Sequence, residues 1–127
     1  MNNRKKILVV DDDEIHLAVT ENILKREYEI ITATSGKKAL ELLKQGLAPN
    51  LVLLDVLMPN MDGWEAYNRI KAISFLNNTP IAFASALQGE MEEEHAKKIG
   101  AVDFIPKPFK RIELLNRVEI LMKKYEK

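Results

Sequence analysis

Two short stretches, Ile7-Leu8-Val9-Val10 and Leu51-Val52-Leu53-Leu54, are apolar at every position. A strand with one wet face alternates apolar with polar residues. Unbroken four-residue runs bounded by turn residues suit strands covered on both faces. Ile30-Ile31, Ile81-Ala82-Phe83-Ala84 and Val102 to Ile105 add three more runs. Between the runs the apolar spacing changes to steps of three and four, the period of a helix. Ile15, Ala18, Val19 and Ile23 predict one apolar helix face, Ala39, Leu43 and Leu47 a second, and Leu114, Val118, Leu121, Met122 and Tyr125 a last. Trp64-Tyr67-Ile70 and Met91-His95-Ile99 are fainter rows of the same kind. Gly46, Gly100 and Asn77-Asn78-Thr79-Pro80 read as stops. Five strand–helix alternations predict an α/β fold, a single doubly wound open parallel sheet of five strands with helices on both faces.

With 127 residues, 46% of them hydrophobic, the chain has the material for one cored domain. It is expected to be one domain over residues 1–127, with no effector domain. Nineteen basic residues balance 19 acidic ones. A direct nucleic-acid or acidic-membrane binder would carry a basic excess instead. With no cysteine, the chain excludes disulfides, thiolate zinc sites and thiol catalysis. The apolar runs are too short to span a bilayer. Only Ile7–Val10 separates the basic start from three aspartates, which does not make a signal peptide. The expected location is the cytoplasm.

In an open parallel sheet, ligands bind beyond the carboxyl ends of the strands, so the residues after each run matter most. Asp11-Asp12-Asp13 follow the first run, Asp55 the third, Ser85 the fourth and Lys107-Pro108 the fifth. Ala33-Thr34-Ser35, after the second, reads as a helix N-cap, as does Asp13. Each piece alone has an ordinary explanation as a cap, a turn or a solvated charge. Gathered on one edge they are different, because converging carboxylates repel one another unless a cation or protons intervene. Oxygen donors without histidine or cysteine select a hard ion, Mg²⁺ first and Mn²⁺ as a substitute. One lysine and one hydroxyl then supply what a phosphoryl group needs, charge neutralisation and a hydrogen-bond donor.

At Ile7–Asp12, at Leu51–Gly63 with its Asp-x-x-Met-Pro-x-Met-Asp-Gly segment, and at Gly100–Phe109, the chain resembles the receiver domain of bacterial two-component response regulators. The resemblance runs in order along essentially the whole chain. It implies a flavodoxin-like sheet in strand order 2-1-3-4-5. It also implies that Asp55 accepts a phosphoryl group from a sensor histidine kinase or a histidine phosphotransfer protein. Asp12, Asp11 through water, Asp55 and the backbone carbonyl of Leu57 would hold Mg²⁺. Lys107 would pair with Asp55 at rest and with a phosphoryl oxygen afterwards, across a cis bond to Pro108. Ser85 would bond the phosphoryl group, beside a small Ala86. Phe104 stands where the family keeps a switching aromatic that signals to helix 4, strand 5 and helix 5, about residues 90–125, where an output protein would bind. A plain core role for Phe104 competes with this. The family's commoner residue there is tyrosine, so packing alone would carry the switch.

Leu57 and Leu87 stand where fast-decaying receivers carry polar groups that orient water, so slow self-dephosphorylation is expected. Beyond that self-reaction, no enzymatic activity is expected. His16 and His95 read as solitary surface residues away from the strand ends. Glu90, Glu92, Glu93 and Glu94 complement a helix N-terminus. From Lys107 to Lys127 seven basic residues outnumber three acidic ones, and the contrast with the acidic fourth helix would allow two copies to pair head to head. A rival reading is a Mg²⁺-dependent, haloacid-dehalogenase-like phosphohydrolase, since Asp11-x-Asp13 follows the first strand. Against it, Glu14 stands where that motif wants Thr or Val, and no cap domain fits.

Overall fold

The computed structural model describes residues 4–87 and 89–126. Strands β1 (Lys6–Val10), β2 (Glu29–Ala33), β3 (Leu51–Leu54), β4 (Ile81–Ser85) and β5 (Asp103–Pro106) alternate with helices α1 (Glu14–Leu24), α2 (Gly36–Lys44), α3 (Gly63–Lys71), α4 (Glu90–Ile99) and α5 (Arg111–Lys124). All pairings are parallel and the order is β2-β1-β3-β4-β5. The chain therefore reverses its direction of winding between β1 and β3, which leaves a crevice at their carboxyl ends.

The period-two geometry of a strand explains why the apolar runs do not alternate. Ile7 and Val9 of β1, with Leu51 and Leu53 of β3, face α1 and α5 and meet Leu17, Leu24, Leu114 and Val118. Leu8, Val10, Val52 and Leu54 point the other way, onto Ala39, Leu43, Ala66 and Ile70 of α2 and α3. Both faces are dry, so every position must be apolar. Apart from Lys6 at the start of β1, the partly exposed strand positions belong to the edge strands β2 and β5.

The helix faces follow the spacing in α2 and α3, and in α5 through Leu114, Val118, Leu121 and Met122, while Tyr125, just past the end of α5, is exposed; α1 and α4 depart further. On α1 the buried residues are Leu17, Thr20, Ile23 and Leu24, whereas Ile15 and Val19 are 74% and 49% exposed. This helix carries apolar residues almost all round, so spacing alone leaves its rotation open, and the pair Leu17 and Leu24 fixes it against α5. On α4 the row Met91-His95-Ile99 is not the buried one. Ala96 is the sole buried residue, and Met91 is 81% exposed.

The residues that follow β3 pack directly against the start of α3. The Gly63 N–H donates to the Val56 carbonyl at 2.8 Å. A Cβ on Gly63 would lie 2.2 Å from the Asp55 carbonyl oxygen and 2.7 Å from Val56 Cα. Only glycine allows that approach. At the β5 edge, the Phe104 N–H donates to Asp103 Oδ1 at 2.8 Å and its carbonyl accepts from Arg117 Nη1 at 3.2 Å. Gly63→Ala is expected to destabilise the fold by about 2–3 kcal/mol, the cost of pushing backbone apart in a packed site. Urea unfolding followed by circular dichroism would measure it, and an unchanged midpoint would contradict the packing argument.

Candidate functional site

Asp11, Asp55, Ser85 and Lys107 converge at the carboxyl ends of β1, β3, β4 and β5. All four are buried, between 0% and 8% exposed, while Asp12 faces solvent. One carboxylate oxygen each of Asp11, Asp12 and Asp55 lies within 4.8 Å of the others. The sequence grouping is thus reproduced in space. Three carboxylates so placed, with no histidine or cysteine donor among them, fit a hard divalent ion such as Mg²⁺.

Backbone groups and one ammonium hold the pocket in shape. Asp11 Oδ1 accepts the Asp13 N–H at 2.9 Å, and Asp55 Oδ1 accepts the Leu57 N–H at 3.3 Å. The Ser85 hydroxyl oxygen accepts the Leu87 N–H at 3.1 Å. The Lys107 N–H donates to the Ser85 carbonyl at 2.9 Å, and the Lys107–Pro108 bond is cis. The Lys107 ammonium differs from the simple expectation. It hydrogen-bonds Asp11 Oδ2 and lies 3.7 Å from Asp55 Oδ2, so one cation is shared by both buried carboxylates, with Asp11 the nearer.

Burial pushes the Asp55 carboxyl above its ordinary pKa. The positive Lys107 opposes that, the negative Asp11 adds to it, and the bonds from Leu57 and Ser85 oppose it. Asp13, an exposed residue, is held below its ordinary value, chiefly by the backbone N–H of His16. That bond is part of the α1 N-cap, in which Asp13 Oδ1 accepts from Ile15 at 2.9 Å and His16 at 3.3 Å.

His16 is not solitary. Its Nδ1 lies 3.8 Å from Asp11 Oδ2 and 3.7 Å from Asp13 Oδ2. The first turn of α1 starts at the site itself, so a side chain three residues past the cap folds back over the pocket rim. The cap at Asp13 was legible in the sequence and could have located His16. His95 is not solitary either, since its ring meets the Trp64 ring edge-on at 4.5 Å. On the other side of Asp55 an open hollow is lined by Val56, Leu57, Met58, Pro59, Asp62, Trp64 and Leu87, so the two leucines singled out in the sequence share one surface. Phe104 is 8% exposed and packs inward, its ring 6.3 Å from that of Phe83.

Comparison with known proteins agrees with this geometry. Residues 7–119 match the response regulator receiver domain family. The chain is 33% identical over 120 residues to the transcriptional regulatory protein CpxR of Escherichia coli, covering 94% of this chain and 50% of CpxR. It is 37% identical over 117 residues to the response regulator PleD of Caulobacter vibrioides, covering 91% of this chain and 26% of PleD. The chain thus spans about half of one relative's length and about a quarter of the other's. A solved receiver domain protein from Methanospirillum hungatei superimposes with a TM-score of 0.86 at 27% identity, over 98% of each chain.

The raised pKa of Asp55 has a definite consequence for stability. A carboxyl whose folded pKa exceeds its unfolded value stabilises the fold below the unfolded pKa, and that contribution is lost as pH rises through the folded pKa. At neutral pH without divalent ions, Asp55→Asn is therefore expected to melt a few degrees above the parent. The gain should shrink as pH falls through the carboxylate range. Thermal scans from neutral to acid pH in EDTA test it, and a variant that melts lower at neutral pH would refute the assignment.

Proposed function

The chain belongs to the response regulator receiver family, and from that premise we propose that Asp55 accepts a phosphoryl group from the phosphohistidine of a kinase or phosphotransfer protein, with Mg²⁺ as the metal. The observation that carries this reading is the convergence of Asp11, Asp12 and Asp55 within 4.8 Å beside the Lys107 ammonium. In the reaction an ionised Asp55 oxygen attacks phosphorus. The P–N bond breaks, the histidine leaves with the bonding pair, and an aspartyl phosphate remains.

Each residue has a task set by charge. Burial disfavours the ionised Asp55 that must attack, and Lys107 opposes that penalty. Asp11 and Asp12, with Asp55 and the Leu57 carbonyl, would hold the ion, and Asp11 also keeps Lys107 at the mouth of the site. The ion supplies neutralisation of phosphoryl charge as it develops; Mn²⁺ would substitute for it. Lys107 moves its hydrogen bond from Asp11 to a phosphoryl oxygen, and Ser85 offers its hydroxyl to another. The movement of Ser85 frees space towards which Phe104 repacks, changing the surface of α4, β5 and α5 for an output partner or a second copy.

The balanced charge supports a protein partner over nucleic acid. Among the described residues no helix is long and apolar enough to cross a membrane. A cytoplasmic location is consistent with both. The dehalogenase-like alternative draws no support, since the family match is to receivers and the Asp11 carboxylate is taken up by Lys107 and the Asp13 N–H.

Incubation with acetyl phosphate, read by intact mass, tests the proposal. One phosphoryl adduct is expected with Mg²⁺, and none in EDTA or in Asp55→Asn. An adduct that survives in Asp55→Asn would overturn the assignment. The lifetime gives a second test. Leu57 and Leu87 present hydrocarbon where water would have to be oriented, so the adduct should outlast seconds at neutral pH. Leu57→Asn, on a side chain already 53% exposed, is expected to shorten it about tenfold, worth about 1.4 kcal/mol of barrier. An unchanged lifetime would remove Leu57 from that role.

A further inference from the structure

Helix α4 buries fewer residues than any other of the five helices, and beside its packing on β5 it is contacted by side chains of α3. Its N-terminus has no side-chain cap and begins at Gly89, with φ of +145°. Along its length it buries only Ala96. Two aromatic residues one turn apart on α3 hold it. The Trp64 ring sits between Phe83 of β4, at 4.6 Å, and His95 of α4, at 4.5 Å in an edge-on contact. The Tyr67 hydroxyl donates to the Ile99 carbonyl at 3.0 Å, and its ring stacks on Phe83 at 5.6 Å.

The Ile99 carbonyl is one of the last four in α4, which have no partner inside their own helix. The backbone around it is shaped to admit the hydroxyl. Gly100 closes the helix at φ of +102°, and a Cβ there would lie 3.1 Å from the Tyr67 oxygen. At its other end α3 is joined to the phosphoryl site, where Gly63 lies against the Asp55 carbonyl and Trp64 lines the hollow shared by Leu57 and Leu87. One rigid helix therefore touches both Asp55 and α4.

We propose that Trp64 and Tyr67 form a latch by which α3 holds α4 in its resting position, and that occupation of Asp55 by a phosphoryl group releases it. The second half rests on the phosphoacceptor role proposed above. Such a latch gives α4 a second route to the site, through α3, which meets the repacking of Ser85 and Phe104 only at the Phe83 ring that Trp64, Tyr67 and Phe104 all contact.

Hydrogen–deuterium exchange of the intact chain, resolved by peptide, tests the latch. Tyr67→Phe keeps the ring in the core and removes only the hydroxyl. Exchange in residues 90–99 is expected to rise about fivefold, with β1 and β3 unchanged. His95→Ala, at an exposed position, should raise exchange in the same segment. If both variants leave exchange in residues 90–99 as it was, or raise it equally everywhere, the latch is overturned. Beryllofluoride with Mg²⁺, its binding followed separately by fluorine NMR, tests the release. The parent's α4 exchange should then approach that of free Tyr67→Phe, and the mimic should add little in the variant. Bound mimic with unaltered α4 exchange would overturn the release. Mimic that does not bind would count against the phosphoacceptor reading and the release that rests on it, leaving the latch to the metal-free comparison.

Discussion

The fold is arranged around one electrostatic liability, two buried carboxylates, Asp11 and Asp55, that share a single ammonium from Lys107. A lone buried carboxylate would be neutralised by a proton, and two side by side would repel. The sheet holds them together because each follows four consecutive buried apolar strand residues that have no other place to go. Lys107 comes from a third strand end, with its backbone N–H bonded to the fourth at Ser85. Among the described residues no buried side-chain polar atom lacks a partner. The site is thus satisfied in hydrogen bonds and still poor in positive charge. That imbalance suits a pocket meant to receive a cation.

Where the physics is local, the sequence was enough to read the structure. Unbroken runs such as Leu51–Leu54 can only be two-sided strands, and the residue after each run then falls on one edge of the sheet. Asp13 and Ser35, read as caps, do cap the helices that follow them, Asp13 accepting two backbone N–H groups and Ser35 one. The acidic grouping and the lysine were legible for the same reason. They need only the strand ends to be known, and no side-chain detail.

What escaped were properties set by contacts between elements. The rotation of α1 depends on which of two apolar rows meets α5, and nothing within residues 14–24 ranks Leu17 and Leu24 above Ile15 and Val19. The nearness of His16 to Asp11 follows from a helix that starts on the site itself. The division of Lys107 between two carboxylates depends on distances of a few ångströms across three strands. For α4 the spacing named a row that is mostly exposed, because the helix buries only Ala96 and contacts such as those of Trp64 and Tyr67 come from another helix.

The β5 edge has a consequence for how any partner can bind. An edge strand normally offers a row of free donors and acceptors to which a foreign strand can add. Here Asp103 and Arg117 already occupy the N–H and carbonyl of Phe104, and Pro106 has no N–H to give. Sheet extension is closed at that border. Recognition of this flank must read the side chains of the two bordering helices, so a change of rotamer or helix tilt there is a message a partner can receive, while the backbone ladder stays silent.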